Sequence, residues 1–210
     1  MQGKRVLLVE GRDDEHVVKN ICGRFDLGVI DRIEPQEGKD PLLDTLPVKL
    51  KESDLAVLGI VLDADTDLGA RWQALSSRLQ SAGYQNIGGH PDPQGGVFEP
   101  PADSLLPRVG VWLMPDNQAP GILEDFLRFL VPAGDTLLSH AEQAVSTLPQ
   151  TRFEVLKRPK VLMHTWLAWQ QEPGKPYGQA ITARYLDVNL PAGKAFADWL
   201  RRLFFPRAKI

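Results

Sequence analysis

Residues 55–62, LAVLGIVL, are apolar without a break and run straight into Asp63-Ala64-Asp65. A strand with one wet face would alternate, so an unbroken run of this length predicts a parallel strand covered on both faces. Eight residues are too few to cross a bilayer, and no stretch of the chain approaches 18 uninterrupted apolar residues. The N-terminal MQGKRVLLVEGRDDE has only a four-residue apolar run before its charges, which does not make a secretory leader. The expectation is a cytoplasmic protein with no membrane partner. Its 210 residues suffice to bury a large core.

Around this central strand the pattern alternates. Residues 4–10 (KRVLLVE) form a short apolar run ending at a Glu-Gly pair, which predicts a buried strand. A helix is predicted after it. Asp13 is its expected N-cap, Asp14 and Glu15 favour the positive end of the helix dipole, and Val17, Val18 and Ile21 give the apolar spacing. Residues 27–33 suggest a second strand, and residues 40–51 a helical or irregular connection weakened by Pro47. Residues 70–82 carry Trp72, Leu75 and Leu79 on one helical face. Residues 84–107 hold four glycines and five prolines, predicting a loop with a short strand near Val97 and Phe98. Another apolar run, VGVWLM at residues 109–114, precedes Pro115-Asp116-Asn117 and a helical pattern at residues 121–131. The order predicts an α/β fold with a mainly parallel sheet flanked by helices over residues 1–131. Helical patterns at residues 136–148, 161–171 and 195–205 predict a mostly helical extension over residues 132–210. Residues 152–157 suggest an edge strand, and residues 173–178 a rigid turn. No repeat is visible.

Three predicted strands run at their C-terminal ends into carboxylates: Glu10, then Asp63 with Asp65, then Asp116. In an open parallel sheet those ends share one edge, where ligands bind at the reversal of strand order. Carboxylates gathered there raise one another's pKa unless a cation compensates. Mg2+ (or Mn2+) suits such hard oxygen donors, and alternate residues such as Asp63 and Asp65 point the same way on an extended chain. Two ions could be held, as in phosphodiester cleavage. Against this, acidic residues after strands commonly serve as caps and turn formers.

The segments LLVEG (residues 7–11) and, about fifty residues on, an apolar strand ending in Asp-x-Asp resemble the Toprim domain of topoisomerases, bacterial primases, recombination-repair proteins and the OLD (overcoming lysogenization defect) nucleases. This resemblance spans residues 4–131. VEGRDDEHVV, VLDADTD, WLMPDNQAPGILEDFL and KVLMHTWLAWQQEPGKPYGQAI are similar, over nearly the whole chain, to an uncharacterised prokaryotic family regarded as a Toprim relative. The resemblance implies a Toprim-like, Rossmann-like sheet in which Glu10 acts as general acid or base and Asp63 and Asp65 bind Mg2+. Similarity to the OLD nucleases adds Asp14, Glu124 and Lys160; the match of Glu124 against Asp125 is open, and Lys160 is placed by order alone. Any nucleotide-driven ATPase partner would then be a separate protein. Topoisomerase chemistry also needs a tyrosine nucleophile, and Tyr84, Tyr177 and Tyr185 lie in no motif for one.

Charge is divided along the chain. Residues 1–150 hold 13 Lys and Arg against 23 Asp and Glu, a balance of -10, whereas residues 151–210 hold 11 against 4, a balance of +7. The halves could hold a metal-bridged nucleic acid between them or simply attract each other. Lys157, Arg158, Lys160, Arg201, Arg202, Arg207 and Lys209 are the expected phosphate contacts. His164, with Trp166 and Trp169, lies on an aromatic helix face that reads first as packing and second as a base-stacking surface. Cys22, the single cysteine, cannot form an internal disulfide and reads as a small helical hydrophobe.

Three functions follow as expectations. The first is a Mg2+-dependent Toprim-type nuclease or related phosphodiester-processing protein acting on nucleic acid, with Glu10, Asp63, Asp65 and Lys160 catalytic and Glu10, Asp14, Asp63, Asp65, Asp116 and Glu124 as metal ligands. The second is a non-catalytic assembly or DNA-associated module. The third takes VLDAD as the start of a haloacid-dehalogenase-type phosphatase, although Asp67 stands where that motif wants Thr or Val.

Overall fold

A computed structural model describes residues 3–206. Strands β1 (Lys4–Val9), β2 (Arg32–Pro35), β3 (Leu55–Asp63), β4 (Gly96–Phe98) and β5 (Arg108–Met114) form one sheet in the order β2-β1-β3-β5-β4. All neighbours are parallel except β4, which pairs antiparallel with β5. Helices α1 (Arg12–Arg24), α2 (Lys39–Lys49) and α3 (Leu68–Ser81) supply the crossovers. They are followed by α4 (Leu123–Arg128), α5 (Thr136–Ser146), α6 (Arg158–Ala168), α7 (Tyr177–Thr182) and α8 (Pro191–Phe204). The architecture is α/β, with a mostly parallel sheet flanked by helices and a helical C-terminal region.

The sheet separates two apolar layers because successive strand residues point to opposite faces. Leu58, Ile60 and Leu62 meet α2 and α3 through Leu42, Leu46, Trp72, Leu75 and Leu79. On the other face Leu7, Val9, Val61, Trp112 and Met114 meet α1, α4, α6, α7 and α8. Burial on both faces is what the unbroken run 55–62 demands, each such side chain contributing about 1.5–3 kcal/mol. Gly59 and Gly110 are register partners on this second face. A Cβ at Gly110 would stand 2.3 Å from Leu203, and one at Gly59 2.8 Å from Phe204, so α8 rests directly on the backbone of the central strands. Trp112 packs edge-on against Phe196, with centroids 5.1 Å apart, and Phe196 in turn meets Phe126 of α4. That aromatic column fixes α4 over the end of β5.

Four local expectations are corrected. Strand β2 lies at Arg32–Pro35 rather than residues 27–33, because it is a charged edge strand whose Arg32 and Glu34 hide it from a hydrophobicity pattern. Gly11, not Asp13, is the N-cap of α1, and the Asp14 carboxylate accepts the Gly11 N–H at 3.0 Å. Residues 152–157 form no strand; Val155–Lys157 is a single 3-10 turn with Val155 and Leu156 exposed, leading into α6, whose first turn contains Pro159. The expected turn at residues 173–178 instead contains the start of α7, which Pro176 presets at its N-cap with φ -54°.

Candidate functional site

The topology places the site. From β1 the chain steps outward to β2, then returns across β1 to β3, so strand order reverses between β1 and β3. Their C-terminal ends part there and leave a cleft. Glu10 follows β1 and Asp63 ends β3, and the Asp63 N–H donates to Glu10 Oε2 at 3.3 Å. The first turn of α1 contributes Asp13 and Asp14, and α4 contributes Glu124, only 5% exposed. A cavity of about 330 Å³ is lined by Glu10, Asp14, Asp63 and Glu124, with Arg12 and Lys160 among the cations on its wall. A larger cavity of about 800 Å³ beside Trp72 and Phe98 has only exposed carboxylates, Asp92 and Glu99, on its wall.

The electrostatics of the small cleft are strained. Asp63 Oδ1 is buried and has no hydrogen-bond partner. Burial, then the charges of Asp14, Glu10 and Glu124, hold the Asp63 carboxyl well above the usual carboxylate range. Burial and the neighbouring Glu10 push Asp14 up to about 7, against the hydrogen bond from Gly11. Glu10 is also raised, chiefly by burial, with the Asp63 N–H opposing. Arg71 and Lys39 partly offset the charge at Glu10, and Lys160 Nζ lies 3.6 Å from Glu124 Oε1 and 3.9 Å from Asp13 Oδ2. The Lys160 side chain is half exposed, so it screens the rim more than the interior.

The other acidic candidates lie differently. Asp65 sits at φ 54°, its N–H donating to Gly121 O at 2.9 Å, and its Oδ2 is held by Lys39 Nζ at 2.9 Å and Arg71 Nη2 at 2.7 Å. The left-handed backbone of Asp65 breaks the alternation that would have aimed Asp63 and Asp65 together. Arg71 also donates to the Asp63 carbonyl at 3.0 Å, so it clamps the end of β3. Asp67 caps α3 by accepting the Ala70 N–H. Asp116 does not line the cleft; its Oδ1 accepts the N–H groups of Gln118 and Ala119, the turn-forming role. Glu124 and Asp125 divide their tasks, Asp125 accepting the Ile122 N–H at 3.0 Å while Glu124 faces the cleft.

The basic candidates also scatter. Arg201 pairs with Asp198, and Arg202 donates to the carbonyls of Gln94 and Gly95. Both lie on the last turns of α8, whose end meets Arg108 at the start of β5, the sheet edge opposite the cleft. Lys157 pairs with Glu154, Arg158 lines a separate cavity with Arg128 and Glu142, and Arg207 and Lys209 lie outside the described residues. Trp166 is buried and bonded to Asp135, whereas Trp169 is partly exposed against His140. Sequence reasoning missed Tyr177, which donates from its hydroxyl to Glu124 Oε1 at 3.1 Å and touches His164 Nε2 at 3.2 Å. The i, i+4 spacing of Lys160 and His164, which puts both on one face of α6, was the available signal.

Among the described residues no three or more His, Cys, Asp or Glu side chains are drawn together in metal-holding geometry. The four carboxylates border the cleft without closing on a common point. Their chemistry nonetheless fits a hard divalent cation: all donors are carboxylate oxygens, and the buried Asp63 Oδ1 is unpartnered.

Compared with protein families, residues 4–205 match the one described as a protein of unknown function, DUF3226. The chain belongs to the DUF3226 family. The match covers β1 through α8, so the cleft and the helical region behind it both fall within the DUF3226 span. Neither curated proteins nor solved structures gave a match. No helix among the described residues is long and apolar enough to cross a membrane.

Proposed function

We propose that this chain is a divalent-metal-dependent phosphodiester-processing enzyme of Toprim type, a nuclease acting on nucleic acid with Mg2+ or Mn2+. One observation carries the reading: the Asp63 carboxylate, with Oδ1 unpartnered, is buried beside Glu10, Asp14 and Glu124 at the reversal of strand order. Like charges confined there cost several kcal/mol unless protons or a cation offset them. Asp63 and Asp14, with Glu10 and Glu124, would hold the ion. When bound, it would supply Lewis-acid stabilisation to a phosphoryl oxygen.

The chain's own residues would do the rest. Glu10, raised toward neutrality by burial, is suited to exchanging a proton at the cleft. Lys160 and Arg12, on the cleft wall, would meet phosphate oxygens, and Lys160 would offset charge developing in the transition state. Arg71 and Lys39 hold Asp65, so that residue would act by fixing the end of β3. The same pairing favours a second reading, a non-catalytic module that binds an ion through Asp63 and Asp14 for assembly, because it withdraws half of the Asp-x-Asp pair from the cleft.

A cleavage assay on end-labelled single-stranded DNA, duplex DNA and RNA with Mg2+ or Mn2+ separates the two, run beside Glu10→Gln and Asp63→Asn. Metal-dependent cleavage lost in both variants supports the enzyme. Ion binding by calorimetry without cleavage of any substrate supports the module, and equal cleavage by wild type and variants overturns the site.

A further inference from the structure

We propose that Tyr177 and His164 are positioning residues for the cation site, forming a directed hydrogen-bond chain that aims the free oxygen of Glu124 into the cleft. The inference rests on the metal-site reading above and names residues that reading does not use. The direction of the chain follows from donor chemistry. A carboxylate only accepts, so the Tyr177 hydroxyl must donate to Glu124 Oε1, 3.1 Å away. The tyrosine oxygen is then left to accept from His164 Nε2, 3.2 Å away, which fixes the proton on that nitrogen. The two rings stack at 5.2 Å with 27° between their planes, so the histidine cannot swing without losing the contact.

The tyrosine is itself held. Tyr177 is 2% exposed, and the next residue, Gly178, is so close to α1 that a Cβ there would stand 2.6 Å from Asn20 Nδ2 and 3.0 Å from the His16 carbonyl. Thr182 at the other end of α7 donates to Asn20 Oδ1 at 2.6 Å. Helix α7 is thus seated on the helix that carries Asp14. Lys160, one turn before His164, approaches the same Glu124 Oε1 directly at 3.6 Å. With Oε1 engaged from two sides, Oε2 is the oxygen left for a ligand. Outer groups that fix a metal-binding side chain in this way typically alter affinity about 10- to 100-fold.

The test is calorimetric titration of the full chain with MnCl2, beside circular dichroism as a folding check. Tyr177→Phe, which removes one hydroxyl and keeps the ring, is expected to weaken binding about 10- to 100-fold. His164→Ala should weaken it less, and His164→Gln, whose side-chain amide can donate to the tyrosine oxygen, should recover most of that loss. Tyr84→Phe removes a buried hydroxyl bonded instead to the Pro107 carbonyl and should leave the affinity at the wild-type value. A folded Tyr177→Phe protein that binds Mn2+ as tightly as wild type overturns the inference, and so does equal weakening by His164→Gln and His164→Ala. The histidine pair lies on an exposed residue and stays informative if the tyrosine variant fails to fold. Failure of the wild type to bind any Mn2+ defeats the metal-site reading first, and this one with it.

Discussion

Asp14→Asn should make the metal-free protein more stable at neutral pH, an unusual outcome for a buried hydrogen-bonded residue. The Asp14 carboxyl rises from 3.8 to about 7 on folding, because it is buried beside Glu10. A carboxyl raised in the folded state favours folding while protonated. That contribution is complete below the unfolded value and is lost as pH climbs through the folded one. The shift corresponds to about 4 kcal/mol of order-of-magnitude penalty above pH 7. Asparagine keeps an oxygen for the Gly11 N–H and carries no charge, so its advantage should grow from near zero at about pH 4 to at most this value above pH 7. For a chain of this size the upper bound is a rise in Tm of about 8–16 °C. The assay is thermal unfolding of both proteins in EDTA at several pH values between 4 and 8, read as their difference so that titrations remote from the cleft cancel and the relief of Asp63 by the lost Asp14 charge is included. A variant that melts at or below wild type at pH 8, or a difference that does not widen with pH, would refute the account of a strained carboxylate cluster.

Other consequences are simpler to measure. Mg2+ or Mn2+ at about 100 times its Kd should stabilise the wild type by roughly 2.7 kcal/mol, and Asp63→Asn should abolish the gain in a thermal-shift titration. Asp65→Asn should reduce ion affinity less than Asp63→Asn by calorimetry, since the Asp65 Oδ2 atom is already committed to Lys39 and Arg71. Gly110→Ala drives a Cβ to 2.3 Å from Leu203 and should cost about 1–3 kcal/mol in urea unfolding, whereas Gly23→Ala, with open space at that position, should cost nothing comparable. The Cys22 thiol, pushed up to about 11 by burial, should react with iodoacetamide at pH 8 far more slowly than a free cysteine.

The sheet was legible because β1, β3 and β5 are buried on both faces, and that condition writes itself as apolar runs at residues 6–9, 55–62 and 109–114. Strand β2 was displaced in the reading because an edge strand is free to carry charge, and α7 was missed because six residues after Pro-Gly-Lys-Pro look like a turn. Within the site, Glu10, Asp63, Asp14 and Glu124 could be nominated from their places at strand ends and helix starts. What no local pattern could supply was the orientation of Asp65, which depends on one left-handed residue and on Arg71 six positions later. The tyrosine that touches Glu124 is 53 residues away from it, and a hydrogen bond over that separation leaves no periodic trace.

The glycine-floored seat of α8 has an implication for the order of assembly. Trp112, Val61 and Leu7 receive part of their cover from residues 191–204, which leave a ribosome well after β1, β3 and β5 have done so. Emerging from its N-terminal end, the nascent polypeptide therefore presents a broad apolar sheet face before the helix that shields it has been synthesised, and such an uncovered surface invites self-association. Slow elongation, or a message truncated before residue 191, would prolong that exposure, so the yield of soluble protein should depend on how soon α8 arrives.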